Sequence, residues 1–226
     1  MTGRKGGTIV IRGILFDLDG VLMDTDQYHF QAWKELAEEL GLSFTREQGN
    51  RCRGVSRMES LEILLEGSGL ELTREEKREL ADRKNRRYRE LLSGLTPEDV
   101  SAEVHLILPE LRRRGYRLGL ASASRNAGLI LERTGLGQWL DGVADGTCVT
   151  HSKPDPEVFL VAAHRIGVDP TKCAAVDDAL AGIEAAHRAG MVGIAIGDSA
   201  VHQAGEYNLT SLKQLLELFL PQEETK

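Results

Sequence analysis

Short apolar runs that end in polar residues alternate along this chain with longer segments of helical period. The first run, Thr8 to Phe16, ends in Asp17-Leu18-Asp19-Gly20, and the next convincing one, Tyr116 to Ala121, ends in Ser122-Ala123-Ser124. Cys173 to Val176 runs into Asp177-Asp178, and Val192 to Ile196 runs into Gly197. Helical patterns over Asn126 to Thr134, Pro156 to Ile166 and Leu180 to Ala189 lie between them. This alternation predicts an α/β fold with a doubly wound, Rossmann-like parallel sheet. The polar residues gather just past the strand ends, where open sheets of this kind place their sites.

The interval from Asp26 to Asp99 carries a different pattern. It reads as helices only, over Tyr28 to Leu40, Ser56 to Glu66 and Arg74 to Leu92. An all-helical block after the first strand implies an inserted cap over residues 26–99, with the core formed by 1–25 and 100–226. Thr96-Pro97-Glu98 supplies the turn signal at its exit. His29, Trp33, Leu36 and Leu40 share one helical stripe, and Lys84 shares another with Leu80, Tyr88 and Leu91. By pattern alone, such a histidine is more often a satisfied core residue, and such a lysine snorkels. Eight basic and four acidic residues between Arg74 and Arg89 read as a solvated helix face.

Composition narrows the class. A chain of 226 residues is long enough for one or two domains, and 41% apolar with 28% charged residues excludes a disordered chain. The net charge of -7 argues against a nucleic-acid partner. The longest nearly uncharged stretch, Ala189 to Gly197, is far short of the roughly 20 residues of a membrane helix. The basic N-terminus lacks the apolar run of a signal peptide. Cys52, Cys148 and Cys173 are too few and too scattered for a disulfide framework or a zinc site. We therefore expect a soluble, cytoplasmic monomer without a nucleic-acid or membrane partner.

Asp17 and Asp19 alternate after the first strand, so both can face one space at the edge of the sheet. Alone, Asp17-Leu18-Asp19-Gly20 is equally a surface turn. Ser122 and Ser124 end the second strand, Lys153 precedes a helix in Ser152-Lys153-Pro154, and Asp177-Asp178 end a third strand. In this order they supply four carboxylates, a hydroxyl and a lysine, a set suited to a phosphoryl group held with a hard, oxygen-loving cation.

These four segments resemble the ordered motifs of the haloacid dehalogenase superfamily of phosphotransferases. Within it, Asp24 to Trp33, Arg53-Gly54-Val55-Ser56-Arg57, Arg83-Lys84-Asn85 with Tyr88, and Leu120 to Asn126 resemble the beta-phosphoglucomutases. The resemblance implies Asp17 as the nucleophile that becomes an aspartyl phosphate, and Asp19 as the acid and base. It implies Mg2+ held by Asp17, Asp19 through its backbone carbonyl, Asp178 and Asp177. Ser122, Ala123 and Lys153 are then expected to hold the transferring phosphate. Arg57, Ser124, Arg125 and Asn126 are expected to grip the other phosphate. Thr25 falls at the hinge, His29 is expected to couple the cap to Asp19 and Lys84 to contact the sugar, and Trp33, Gly54 and Val55 are expected among the substrate-binding residues. The implied reaction interconverts beta-D-glucose 1-phosphate and glucose 6-phosphate through the bisphosphate.

Two departures from the family pattern stand out. Asp177-Asp178-Ala179 replaces a common Glu-Asp-Ser, and Ala102-Glu103 replaces a usual Pro-Gly at the return to the core. A sugar-phosphate phosphatase on the same scaffold is the nearest alternative, because the core motifs do not decide whether a sugar hydroxyl or water attacks the phosphoenzyme. A receiver-like phosphorylation switch combines the same residue types in another order and has no helical insertion.

Overall fold

Six strands pair in parallel in the order β3-β2-β1-β4-β5-β6. They are β1 Gly13–Phe16, β2 Arg117–Ala121, β3 Gly142–Ala144, β4 Cys173–Asp177, β5 Val192–Ala195 and β6 Tyr207–Asn208. The computed structural model describes residues 10–53 and 55–222. β1 lies between β2 and β4, with Leu15 opposite Gly119 on one side and Ala175 on the other. Every residue of β1 is buried, as a strand covered on both faces requires. The described part of the first run is shorter than its hydrophobicity suggests: the ladder starts at Gly13. Arg12 adds single bonds to Lys172 and Arg117, and residues 8 and 9 lie outside the described residues.

Helices α1 Asp26–Glu39, α2 Arg46–Arg51, α3 Arg57–Leu65 and α4 Arg74–Leu92 follow β1. Three of them start on the same capping box: Thr45 with Gln48, Ser56 with Glu59, and Thr73 with Glu76. Trp33, Leu36, Phe44, Leu61, Leu64 and Leu80 form an apolar cluster of their own there. The charged face of α4 is tied to its neighbours: Arg83 pairs with Glu39, Arg87 with Glu35, and Lys77 with Glu62. Exposed pairs of this kind contribute little each, so the apolar cluster holds α1, α3 and α4 together.

Four longer helices of the core, α5 Ala102–Arg113, α6 Ala127–Thr134, α7 Glu157–Ile166 and α8 Leu180–Arg188, cover the sheet. The sequence pattern did not mark α2, α5, β3 or β6. Pro109 lies inside α5 and interrupts its helical reading, while β3 and β6 span three and two residues, too few for any period. Glycine sets the closeness of these layers: a Cβ at Gly119 meets Leu15 at 2.8 Å and Ile166 at 2.9 Å. No described helix is long and apolar enough to cross a membrane.

Candidate active site

The carboxyl ends of β1, β2 and β4 bring the chemistry to one edge of the sheet. Asp17 leaves β1 with its N–H on Val176 O at 2.9 Å, and Ser122 leaves β2 with its N–H on Ala144 O at 3.0 Å. Asp177 closes β4. Lys153 reaches in from the loop before α7 and is 7% exposed. Its ammonium donates to Asp17 Oδ1, to Asp177 Oδ2 at 2.8 Å and to Ala121 O at 3.0 Å, which uses all three protons. Phe159 lies beneath it, with the ring centroid 5.0 Å from Nζ. Burial alone would lower the Lys153 pKa, but Asp17 and Asp177 outweigh it and raise it. Burial pushes the Asp17 carboxyl well up, against the pull of Lys153.

The two acids after β4 are used differently. Asp177 spends Oδ2 on Lys153 and Oδ1 on the Ala179 N–H at 3.0 Å. It sits over the backbone of Gly182, where a Cβ would come within 1.9 Å of its Cγ. Asp178 forms no side-chain hydrogen bond or ion pair with a described residue. Burial, Asp177 and Asp26 raise its pKa to about 7. Its carboxylate leans on Gly20, which has φ +84° and whose Cβ would stand 2.2 Å from Oδ2. Gly20 thus meets two demands that only glycine satisfies, a left-handed backbone and an empty Cβ position.

These residues fit a hard divalent cation. Asp17, Asp19, Asp177 and Asp178 crowd together, and Lys153 bonds Asp17 and Asp177, which leaves the half-buried Asp178 without a bonded cation among the described residues. The Asp19–Met23 bridge is made by Gly20 N on Met23 O and Met23 N on Leu18 O, so the Asp19 carbonyl stays out of the pairing. The donor set is all oxygen, as Mg2+ requires. Asp17, the Asp19 carbonyl and Asp178 are the groups with an oxygen to offer, and the engaged Asp177 is the partner of Lys153.

Asp19 is held from the hinge. Thr25 is fully buried and precedes α1 at the N-cap position, yet its hydroxyl does not cap the helix. It donates to Asp19 Oδ1 instead. His29, one turn on, does not bond to Asp19; its Nδ1 lies 2.8 Å from Lys84 Nζ. Burial, Lys84 and Arg57 depress the His29 pKa, so the imidazole is neutral and Nδ1 accepts. Lys84 is 4% exposed, between the rings of Trp33 at 4.7 Å and Tyr88 at 4.6 Å. It does not snorkel, and burial with Arg57 brings its pKa down to about 7.

The Lys84 shift has a measurable consequence. Between pH 7 and 10.5 the unfolded chain holds a proton that the folded chain has released, so stability must rise with pH across that window. Lys84→Met should flatten the rise. Urea midpoints at pH 6.5, 8 and 9.5 for both proteins check this; parallel curves would show that Lys84 is not depressed.

The cavity of about 500 Å³ that the carboxylates line has a second polar group in its lining. Arg57, the first residue of α3, reaches Asp82 at 3.3 Å, and its pKa is lowered by burial despite Asp82, with Arg125 adding to the lowering. Ser124, Arg125 and Asn126 line the same wall. Asn126 donates to Asn85 at 2.9 Å and accepts from Arg89 at 3.3 Å, so the β2 loop is joined to α4. Ser122 Oγ accepts the Ser124 N–H at 3.0 Å, and Gly146 lets the loop close: a Cβ there would strike Ala123 O at 2.3 Å. His29, Trp33, Val55, Lys84, Ala123 and Lys153 also face the cavity, and Gly54 lies outside the described residues.

Sequence reading assigned no site role to Asp26, Asn85 or Arg89, although Asp26 and Asn85 lie in segments that carry the resemblance. Arg53 pairs with Asp26 at 2.5 Å beside the hinge. An exposed-looking acid at the start of a helix gives no sign that its partner lies in the turn between α2 and α3. Asn85 carried a place in the family-like segment but no sign of its bond to Asn126.

The comparisons agree with this geometry. A family model described as haloacid dehalogenase-like hydrolase matches residues 11–190. The beta-phosphoglucomutase of Bacillus subtilis is 42% identical over 214 residues, which cover 90% of this chain and 95% of that protein. A crystal structure of beta-phosphoglucomutase from Clostridium difficile superposes with a TM-score of 0.86 at 33% identity, covering 92% of this chain and 95% of the other. A phosphorylated carbohydrates phosphatase of Thermotoga maritima is 32% identical over 182 residues, 80% of this chain and 82% of that one. With the acids, the lysine and the serine at one edge of a parallel sheet and these relatives along most of its length, the chain belongs to the haloacid dehalogenase-like hydrolase family.

Proposed function

We propose that this enzyme is a magnesium-dependent phosphomutase that interconverts beta-D-glucose 1-phosphate and D-glucose 6-phosphate. The observation that carries the reading is that one cavity is lined both by the acids with Lys153 and by a separate cationic pair, Arg57 with Arg125. A sugar with a phosphate at each end fits such a space, and similarity to the Bacillus subtilis mutase supports the substrate class.

Asp17 attacks phosphorus and becomes an aspartyl phosphate, while Asp19 gives its proton to the departing sugar oxygen and later removes one from the attacking hydroxyl. When bound, Mg2+ held by Asp17, the Asp19 carbonyl and Asp178 shields the phosphoryl charge that opposes a carboxylate nucleophile. Lys153 and Ser122 then hold the phosphoryl oxygens, with the Ala123 N–H beside them. Arg57, Ser124, Arg125 and Asn126 hold the distal phosphate, with Lys84, Trp33 and Val55 against the sugar. The helices from Asp26 to Leu92 act as the cap that excludes water.

The test is a product ratio. Incubation with Mg2+, beta-glucose 1-phosphate and a trace of beta-glucose 1,6-bisphosphate should yield glucose 6-phosphate in excess over free phosphate. Free phosphate as the main product would make the enzyme a sugar-phosphate phosphatase, the activity named for the Thermotoga maritima relative.

Arg57 should separate the same two readings. A guanidinium offers two parallel donors to a phosphate, worth about 1.5–3 kcal/mol for a charged partner. Arg57→Ala should therefore lower kcat/KM for beta-glucose 1-phosphate by about 10- to 100-fold. Acetyl phosphate, which has no second phosphate, should be affected much less. Equal losses on both would remove Arg57 from the distal site.

A further inference from the structure

Asn126 stands at the N-cap position of α6, yet its side chain makes no capping bond. The residue is buried, and its amide turns to α4 instead. Its Oδ1 accepts from Arg89 Nη1 at 3.3 Å, and its Nδ2 donates to Asn85 Oδ1 at 2.9 Å. Arg89 forms no ion pair with a described residue, and Glu90 beside it pairs with Arg87 at 3.1 Å. The bond to Asn126 is therefore the polar use that the structure gives this guanidinium.

That bond decides a direction. An amide is nearly symmetric in shape, so two asparagines can bond in either sense, the carbonyl of one to the amino group of the other or the reverse. A guanidinium only donates. With Arg89 at the head, Asn126 must turn its oxygen to it, which leaves its amino group for Asn85 and the cavity. Asn85 accepts through Oδ1 and so keeps both of its own amide protons. Asn85 and Asn126 line the cavity together with Arg57 and Arg125, whereas Arg89 lies outside that lining. Amide protons left over there are donors for an anion; turned over, the same pair would offer carbonyl oxygens, which repel phosphate. We propose that Arg89 is a positioning residue that sets the sense of both amides from outside the cavity, so that Asn126 and Asn85 present N–H groups to the distal phosphate. This rests on the reading of Asn126 as a ligand of that phosphate.

The experiment compares wild type with Arg89→Met, Arg89→Lys, Arg89→Glu, Asn126→Ala and the double variant Arg89→Met with Asn126→Ala. The readout is the ratio of kcat/KM for beta-glucose 1-phosphate to that for acetyl phosphate, which does not depend on how much of a sample is folded. Arg86→Glu is the control for charge, since Arg86 is exposed, lies one turn away on α4 and is outside the cavity lining. Arg89→Met should lower the ratio about tenfold, the value of one hydrogen bond to a charged partner, with the loss in KM. Lysine, which also only donates, should restore it to within about threefold of wild type, and Arg89→Glu, which only accepts, should lower it further than Arg89→Met. In the Asn126→Ala background Arg89→Met should add nothing. An unchanged ratio in Arg89→Met, or equal losses in Arg89→Glu and Arg86→Glu, would overturn the positioning role while Asn126→Ala still lowers the ratio. If Asn126→Ala itself leaves the ratio at the wild-type value, the distal-phosphate reading of Asn126 fails and takes the role of Arg89 with it.

Discussion

Asp17→Asn is expected to abolish phosphoryl transfer while the protein stays folded. The amide matches the carboxylate in shape but cannot form an acyl phosphate, so the loss should be about 10⁴-fold or more, as when a sole nucleophile is removed. Folding should survive for a physical reason. Burial pushes the Asp17 carboxyl up, so a neutral isostere removes a desolvated charge, and its Oδ1 can still accept from Lys153. Lys153 also keeps Asp177 at 2.8 Å and Ala121 O at 3.0 Å. The measurement is burst release of phosphate or acetate from metal-saturated enzyme, with an unfolding curve beside it. Turnover above background in the folded variant would remove Asp17 from the role of nucleophile.

Lys153→Met should do more damage to the fold than any other single change at the site. Lys153 is the cation between two buried carboxylates, and its side chain is 3% exposed. Removing one partner of a buried ion pair typically costs about 3–5 kcal/mol, because the remaining charge is left unanswered. The pH dependence gives the direction a check. Burial and Asp177 already raise the Asp17 pKa, and without the lysine nothing at the site pulls it down as strongly. An acid whose folded pKa is raised binds a proton on folding, so the variant should gain stability as the pH falls from 7 toward 4. Urea midpoints at pH 7 and 5 test this: the deficit against wild type should shrink at pH 5. A variant as stable as wild type at pH 7 would mean that water or ions, not Lys153, neutralise the acids. Activity should be lost in either case, since the lysine also faces the transferring phosphate in the proposed mechanism.

The order of chemistry along the chain is legible in its residues. Apolar runs ending in Asp17, Ser122 and Asp177-Asp178 are buried strands, because only a strand covered on both faces is apolar without alternation. Their polar ends therefore meet at one edge of the sheet. The helices over Tyr28–Leu40, Ser56–Glu66 and Arg74–Leu92 are legible from their period, whereas the six-residue α2, which starts at the Thr45 capping box and has no buried residue, is not. Elements too short for a period, β3 and β6, leave no trace in the sequence, and Pro109 masks α5.

What the sequence by itself determined is thus which residue types follow which strand, and so the family resemblance and the all-oxygen character of the site. Partners were decided only by the tertiary structure. Which of two adjacent acids stays open is an example: Asp177 is taken up by Lys153 from 24 residues away, while Asp178 is left beside Gly20. Thr25 reads as a hinge residue, and only the structure shows that its hydroxyl turns to Asp19 instead of capping α1. His29 reads as a core residue or a link to Asp19, yet it accepts from Lys84, 55 residues on. Lys84 reads as a snorkelling lysine, yet it is enclosed by Trp33 and Tyr88. In each case the local pattern fixes a backbone position and a face. The partner that consumes a hydrogen bond or a charge comes from a distant part of the chain, and only the packing of helices on the sheet brings it within reach.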